Sequence, residues 1–260
     1  MGFVKISKLA LFTMLLFTVT IAVGGIGLAY YYSYRSALVL IAKPAKLGDV
    51  LLKISSLQYK AYVSPSGDTY YVNIVINATS NLTRITATNP YGNVIGSVLF
   101  HYNATNITWA LVNYSGINEN LSGSNLSAYV NEILTSITTN YNPTTGTITV
   151  SFFPGLGPLY DLYYYSSYYG IDWQSMLEGQ PGPSAVSVGY IFTPVKFDGK
   201  SYAGVTMSIS PTSSLFGTFG AYTLSATMIN FKGAPLAVQI VVGTGGPNYV
   251  SMSVLGASAP

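Results

Sequence analysis

A chain of 260 residues carries enough material for one large β domain or two small ones. Charged residues make up only 7% of it, against about 25% in an ordinary soluble domain. The net charge of +3 is small and scattered, which argues against nucleic acid; without cysteine there is no disulfide framework, thiolate metal site or thiol nucleophile.

Tyr, Ser, Thr and Asn take the place of the missing charge. Tyrosine, whose phenol titrates near about pH 10, stays neutral throughout the acid range. The composition therefore suits an acid-exposed surface.

At the N-terminus Lys5 and Lys8 precede "LALFTMLLFTVTIAVGGIGLA", residues 9–29, a run without a charge. A helix needs about 20 apolar residues to span a hydrocarbon core. The following "YYYSY", residues 30–34, reads as an interfacial aromatic belt closed by Arg35. A basic start favours an inside N-terminus, which places the rest of the chain outside the cell membrane. The alternative is a cleaved signal peptide, with small residues offered at Gly27-Leu28-Ala29, and hence a secreted protein. The expected organisation is a membrane anchor or signal at 1–35, a stalk at 36–49 and a β-rich extracellular domain at 50–260.

Period two dominates that domain. Val72, Ile74 and Ile76 alternate with Asn73 and Asn77, Ile107, Trp109 and Leu111 with Asn106, Thr108 and Ala110, and Ile148, Val150 and Phe152 with Thr149 and Ser151. One amphipathic helix is expected over 124–139, from Leu126, Val130, Ile133, Leu134 and Ile137, with Ser124 as its cap. The Pro/Gly-rich "LEGQPGPS", residues 177–184, marks an internal boundary. Strands resume at Val186, Val188 and Tyr190 and at Val205, Met207 and Ile209, joined through the turn signal Asp198-Gly199. Leu236, Val238 and Ile240, then Val250, Met252 and Val254, form a last hairpin. The fold class is mostly β: a transmembrane helix, then an antiparallel β-sandwich-like ectodomain.

Asn77, Asn81, Asn103, Asn106, Asn113, Asn120 and Asn125 each begin N-x-S/T with x not proline. All fall between 77 and 125, so glycans would cover one side of the domain and leave protein contacts to the sequon-free second half. That half holds "GPLYDLYYYSSYYGIDW", residues 157–173. Tyr160, Tyr163, Tyr164, Tyr165, Tyr168, Tyr169 and Trp173 offer large contact area at low rotamer cost, as an interface does. Intramolecular packing, sugar stacking and membrane contact are the competing uses.

Catalytic machinery is scarce. His101 is the only histidine, on an apolar strand, and no G-x-S-x-G or phosphate-binding loop is present. No cofactor and no metal site is expected. Paired carboxylates remain the one enzymatic option, and Asp161 and Asp172 flank the tyrosine run as a sugar-cleaving pair would.

The N-terminal apolar run, clustered sequons, absent cysteine and Tyr/Ser/Thr/Asn-rich strands together resemble exported surface glycoproteins of acid- and heat-loving archaea. "KISKLALFTMLLF", residues 5–17, is similar to the start of archaeal pilins, which pair a hydrophobic helix with a β headpiece. "SALVLIA", residues 36–42, resembles the donated strand of archaeal filament subunits, a use that requires cleavage of the preceding segment. These resemblances imply a membrane-anchored surface protein with a structural, assembly or adhesion role, meeting copies of itself or other surface proteins. An anchored acid hydrolase and an accessory subunit of a membrane complex are the alternatives.

Overall fold

The computed structural model describes residues 19–21, 23–29, 31–35, 38, 46–142, 144–145, 147–177, 180–184, 186–211, 223–243 and 246–260. Residues 19–21, 23–29 and 31–35 are helical. No helix among the described residues is long and apolar enough to cross a membrane. Lys5, Lys8, the first half of the apolar run and residues 36–42, Leu38 excepted, lie outside the described residues. Of the expected stalk, Leu47–Leu51 is a short helix, α1, with Leu47, Val50 and Leu51 buried.

The domain is mostly β and antiparallel. Six strands follow α1: β1 (Ser56–Ser64), β2 (Thr69–Asn77), β3 (Leu82–Thr88), β4 (Val94–Tyr102), β5 (Ile107–Tyr114) and β6 (Ile117–Leu121). Five come later: β9 (Val186–Phe197), β10 (Lys200–Pro211), β11 (Thr223–Phe231), β12 (Ala234–Gly243) and β13 (Tyr249–Ser258). They form one 11-stranded sheet in the order β6-β5-β4-β3-β2-β1-β13-β12-β11-β10-β9. The first and last strands therefore meet in the middle, where Ser56 faces Ser258 and Ser64 faces Tyr249.

Alternation explains why one face is dry. Along β2, Val72, Ile74 and Ile76 are buried while Tyr71, Asn73, Val75 and Asn77 are exposed, as a half-buried strand requires. Each such apolar side chain contributes about 1.5–3 kcal/mol on burial. On the far flank Val205, Met207 and Ile209 of β10 lie opposite Met228, Ala226 and Leu224 of β11, all buried.

What covers that face is the chain between β6 and β9. It contains α2 (Gly123–Ser127), α3 (Val130–Thr135), the hairpin β7 (Ile137–Asn142) and β8 (Thr147–Phe152), a 3-10 turn at Gly157–Leu159, α4 (Asp161–Tyr168) and α5 (Trp173–Leu177). The second layer of the expected sandwich is thus a small mixed cover rather than a second broad sheet. The single helix expected over 124–139 is instead α2 and α3, because Ser136 takes a left-handed conformation (φ 56°) and Ile137 opens β7. Leu126, Ile133 and Ile137 still reach the core. Ser124 is no cap: Ser122 occupies that position and makes no side-chain capping bond.

Candidate functional site

All seven sequon asparagines are exposed. Asn77 and Asn81 bracket the β2–β3 turn, and Asn103 and Asn106 occupy the β4–β5 turn at the same end of the sheet. The two turns touch, since the Tyr102 amide donates to the Asn81 carbonyl at 3.1 Å. Asn113 lies at the far end of β5 opposite Asn118, Asn120 is on the edge strand β6, and Asn125 is on α2.

The turns use the asparagines in a particular way. Asn77 Oδ1 accepts from the amides of Thr79 and Ser80 at 3.1 and 3.2 Å. Asn103 Oδ1 accepts from the amides of Thr105 and Asn106 at 2.9 and 2.8 Å and from the Thr105 hydroxyl at 3.3 Å. These are Asx turns, which short amide side chains stabilise locally. They employ the oxygen only, and the nitrogen that would carry a glycan takes no part. Asn81 differs from the rest: its φ is 53° and the sequon's Thr83 is fully buried, with Oγ1 unpartnered among the described residues.

The tyrosine run is largely helical. Leu159, Leu162, Tyr163 and Ser166 recur at i, i+3, i+4 and i+7 and are all buried. Trp173 is buried too, and its Nε1–H donates to Ser166 Oγ at 2.7 Å, tying α5 back onto α4. Tyr165 is buried, whereas Tyr160, Tyr164 and Tyr169 are half-buried. Only Tyr168 of the seven aromatics is well exposed, at 64%, with its ring stacked on Tyr164 at 6.3 Å.

Beneath this cover lies a polar pin. Tyr59 of β1 is fully buried, and its hydroxyl donates to the Gly155 carbonyl at 2.8 Å and meets Ser136 Oγ at 3.0 Å. One phenol has one proton, so Ser136 donates in the second bond. Burial pushes the Tyr59 phenol far above its ordinary value. Tyr114 adds a second tie, donating to the Phe152 carbonyl at 3.1 Å, and Tyr70 stacks on Phe152 at 4.7 Å.

The two candidate catalytic carboxylates occupy unlike places. Asp161 is fully buried at the start of α4, and neither carboxylate oxygen has a hydrogen-bond partner among the described residues. Burial raises its pKa well above the usual carboxylate range. Asp172 is exposed and caps the turn into α5, accepting from the amides of Gln174 and Ser175 and from the Ser175 hydroxyl at 2.7 Å. Those hydrogen bonds, the hydroxyl's first, lower the pKa of Asp172. The two carboxylates thus lie in opposite environments, Asp161 shut away from water and Asp172 exposed and committed to a turn. His101 is structural as well, its Nδ1 lying 2.7 Å from Thr108 Oγ1 across the β4–β5 pair.

Sequence reasoning missed three features: the Tyr59 pin, the burial of Asp161 and the outer edge of β9. The 159/162/163/166 spacing could have revealed the helix. Nothing local signals the pin, because its partners are 77 and 96 residues away.

No family model and no curated protein matches the chain. Among solved structures, a DUF1329 family protein from Desulfovibrio piger matches with a TM-score of 0.33 and 8% identity, over 87% of this chain and 93% of that one. A likeness so loose assigns neither a family nor an activity.

Proposed function

We propose that the chain is an exported, N-terminally anchored, N-glycosylated surface protein whose role is assembly or adhesion rather than catalysis. The observation carrying this reading is the exposure of every sequon asparagine, all of them on the β1–β6 flank or on α2 beside it. A polar β surface rich in Asn, Ser and Thr could generate sequons by composition, but chance does not confine them to one flank. Glycans there would shield that flank from proteases and from protein contact. The partners in this reading are a membrane, through the N-terminal run, and copies of the chain or other surface proteins.

Glycopeptide mass spectrometry of the native protein tests it. The expected result is glycan on Asn77, Asn103, Asn106, Asn113, Asn120 and Asn125. Asn81 should show the lowest occupancy, because its Thr83 hydroxyl is buried once β3 is folded. Native protein with all seven asparagines unmodified would overturn the reading.

A further inference from the structure

β9 is the outer strand of the sequon-free flank, and its backbone polarity can be read from the turn that follows it. Asp198 (φ 49°) and Gly199 (φ 69°) form a two-residue turn, with Phe197 facing Lys200. Such a turn is closed by hydrogen bonds between its flanking residues. The register continues without a bulge to Val186 opposite Pro211. Phe197, Val195, Thr193, Ile191 and Gly189 therefore point their amides and carbonyls at β10. Lys196, Pro194, Phe192, Tyr190, Val188 and Val186 point theirs outward.

Two of those outward positions are closed. Pro194 has no N–H, which is where an edge strand tolerates proline. The Val186 amide is taken by the Pro183 carbonyl at 3.3 Å. Between them Val188, Tyr190 and Phe192 present outward backbone groups that no strand among the described residues pairs. Their side chains extend the apolar face, because Val188, Tyr190 and Phe192 lie opposite the buried Ile209, Met207 and Val205. Yet Tyr190 is 39% and Phe192 48% exposed. Tyr34 packs on the Phe192 ring at 4.8 Å.

We infer that this edge pairs with the same edge of a second copy, antiparallel and two-fold symmetric about Tyr190. The register follows from the two closures. Tyr190 against Tyr190 of the second copy sets Val188 against Phe192 and Phe192 against Val188, using every open position. A shift by two in one direction spends Phe192 on Val186, whose donor is already engaged. A shift in the other direction spends Val188 on Pro194. The stretch "VSVGYIF", residues 186–192, carries no charge, so self-pairing brings no like charges together. Two-fold pairing is also the commonest form of self-association. The opposite edge cannot do the same: β6 has only 5 residues and bears Asn120 and Glu119. This inference deepens the assembly reading above by naming the surface and the partner.

The chain has no cysteine, so Tyr190→Cys in the detergent-solubilised full-length protein supplies a single thiol at the two-fold. Residues facing each other in a hydrogen-bonded antiparallel pair have Cα atoms about 5.5 Å apart, within disulfide reach. Oxidation should link Tyr190→Cys chains at least roughly tenfold faster than Ser187→Cys chains, since position 187 has no equivalent opposite it. Tyr190→Lys and Tyr190→Glu should each associate at least about tenfold more weakly than the wild type, and their mixture should recover a dimer. Equal cross-linking rates, charge variants that associate like the wild type, or a mixture no tighter than either variant alone would overturn the pairing. Glycan mapping is independent of all three readouts. Modified asparagines with no edge pairing would sink this inference alone, and bare asparagines with edge pairing would sink the surface-glycoprotein reading alone.

Discussion

Outward from the seam between β1 and β13, the sheet ends on one flank at β6, 5 residues long and beside three sequons. On the other it ends at β9, 12 residues long and without a sequon. Both flanks feed the same core by the same alternation, so their interiors do not separate them. Their rims do. The β6 rim offers little backbone and carries Asn113, Asn120 and Asn125 nearby, whereas the β9 rim exposes Tyr190, Ile191 and Phe192. Exposed edges invite pairing unless shortened, charged or covered. Among the described residues, the sheet thus ends in a short edge beside sequons on one side and a long edge without them on the other.

The strongest way to break the contrast is to move a glycan across it. Ile191→Asn completes a sequon with Thr193, and Ile191 is 64% exposed, so the fold should tolerate the change. In a glycosylating host self-association should disappear, while the same variant from a non-glycosylating host should still associate. Sedimentation equilibrium of the two preparations checks this, and equal association of both would break the contrast.

A smaller effect is expected at the seam both flanks share. Tyr59→Phe leaves the Gly155 carbonyl and the Ser136 hydroxyl buried without their partner. Losing those bonds should cost about 2–3 kcal/mol, measured by urea unfolding. Self-association of the folded fraction should be unchanged, because the pin is remote from β9.

Asp161 adds a pH dependence to the cover. Its folded form holds a proton that the unfolded chain releases near about pH 3.9. Folding therefore binds protons above that pH, and stability falls as pH rises towards the raised folded value. Asp161→Asn should flatten the decline in the denaturation midpoint and raise stability at pH 7 relative to the wild type. A wild-type midpoint that climbs from acid to neutral pH would contradict this. The direction agrees with the charge-poor composition, which also suits an acid exterior.

The smallest effect belongs to the β6 rim. Asn120→Gln should alter stability by less than about 0.5 kcal/mol, because Asn120 is exposed and makes no side-chain bond among the described residues. Its consequence should appear only as a lost glycopeptide.

Much of this architecture was legible in the sequence, and the reason is periodicity. The alternation of Val72, Ile74 and Ile76 and the Asp198-Gly199 turn each report a local rule that the fold obeys. The helix expected over 124–139 ends early because apolar spacing alone does not reveal that Ser136 turns left-handed and meets Tyr59. The aromatic run concealed its helix, since tyrosine suits either surface and its neighbours blur the stripe. Asp161 looked like half of a catalytic pair for want of any signal of depth. Long-range partners decide each of these, and no local pattern carries them. The β9 edge was hidden for another reason: strand order follows from which strands meet at the seam.

Hydrogen–deuterium exchange of the full-length glycosylated protein, compared at low and high concentration, tests the contrast between the flanks most directly. The account predicts that the amides of Val188, Tyr190 and Phe192 slow as concentration rises, while those of Asn118 and Asn120 on β6 do not change. Exchange that is independent of concentration at β9, or concentration-dependent protection at β6 instead, would contradict it.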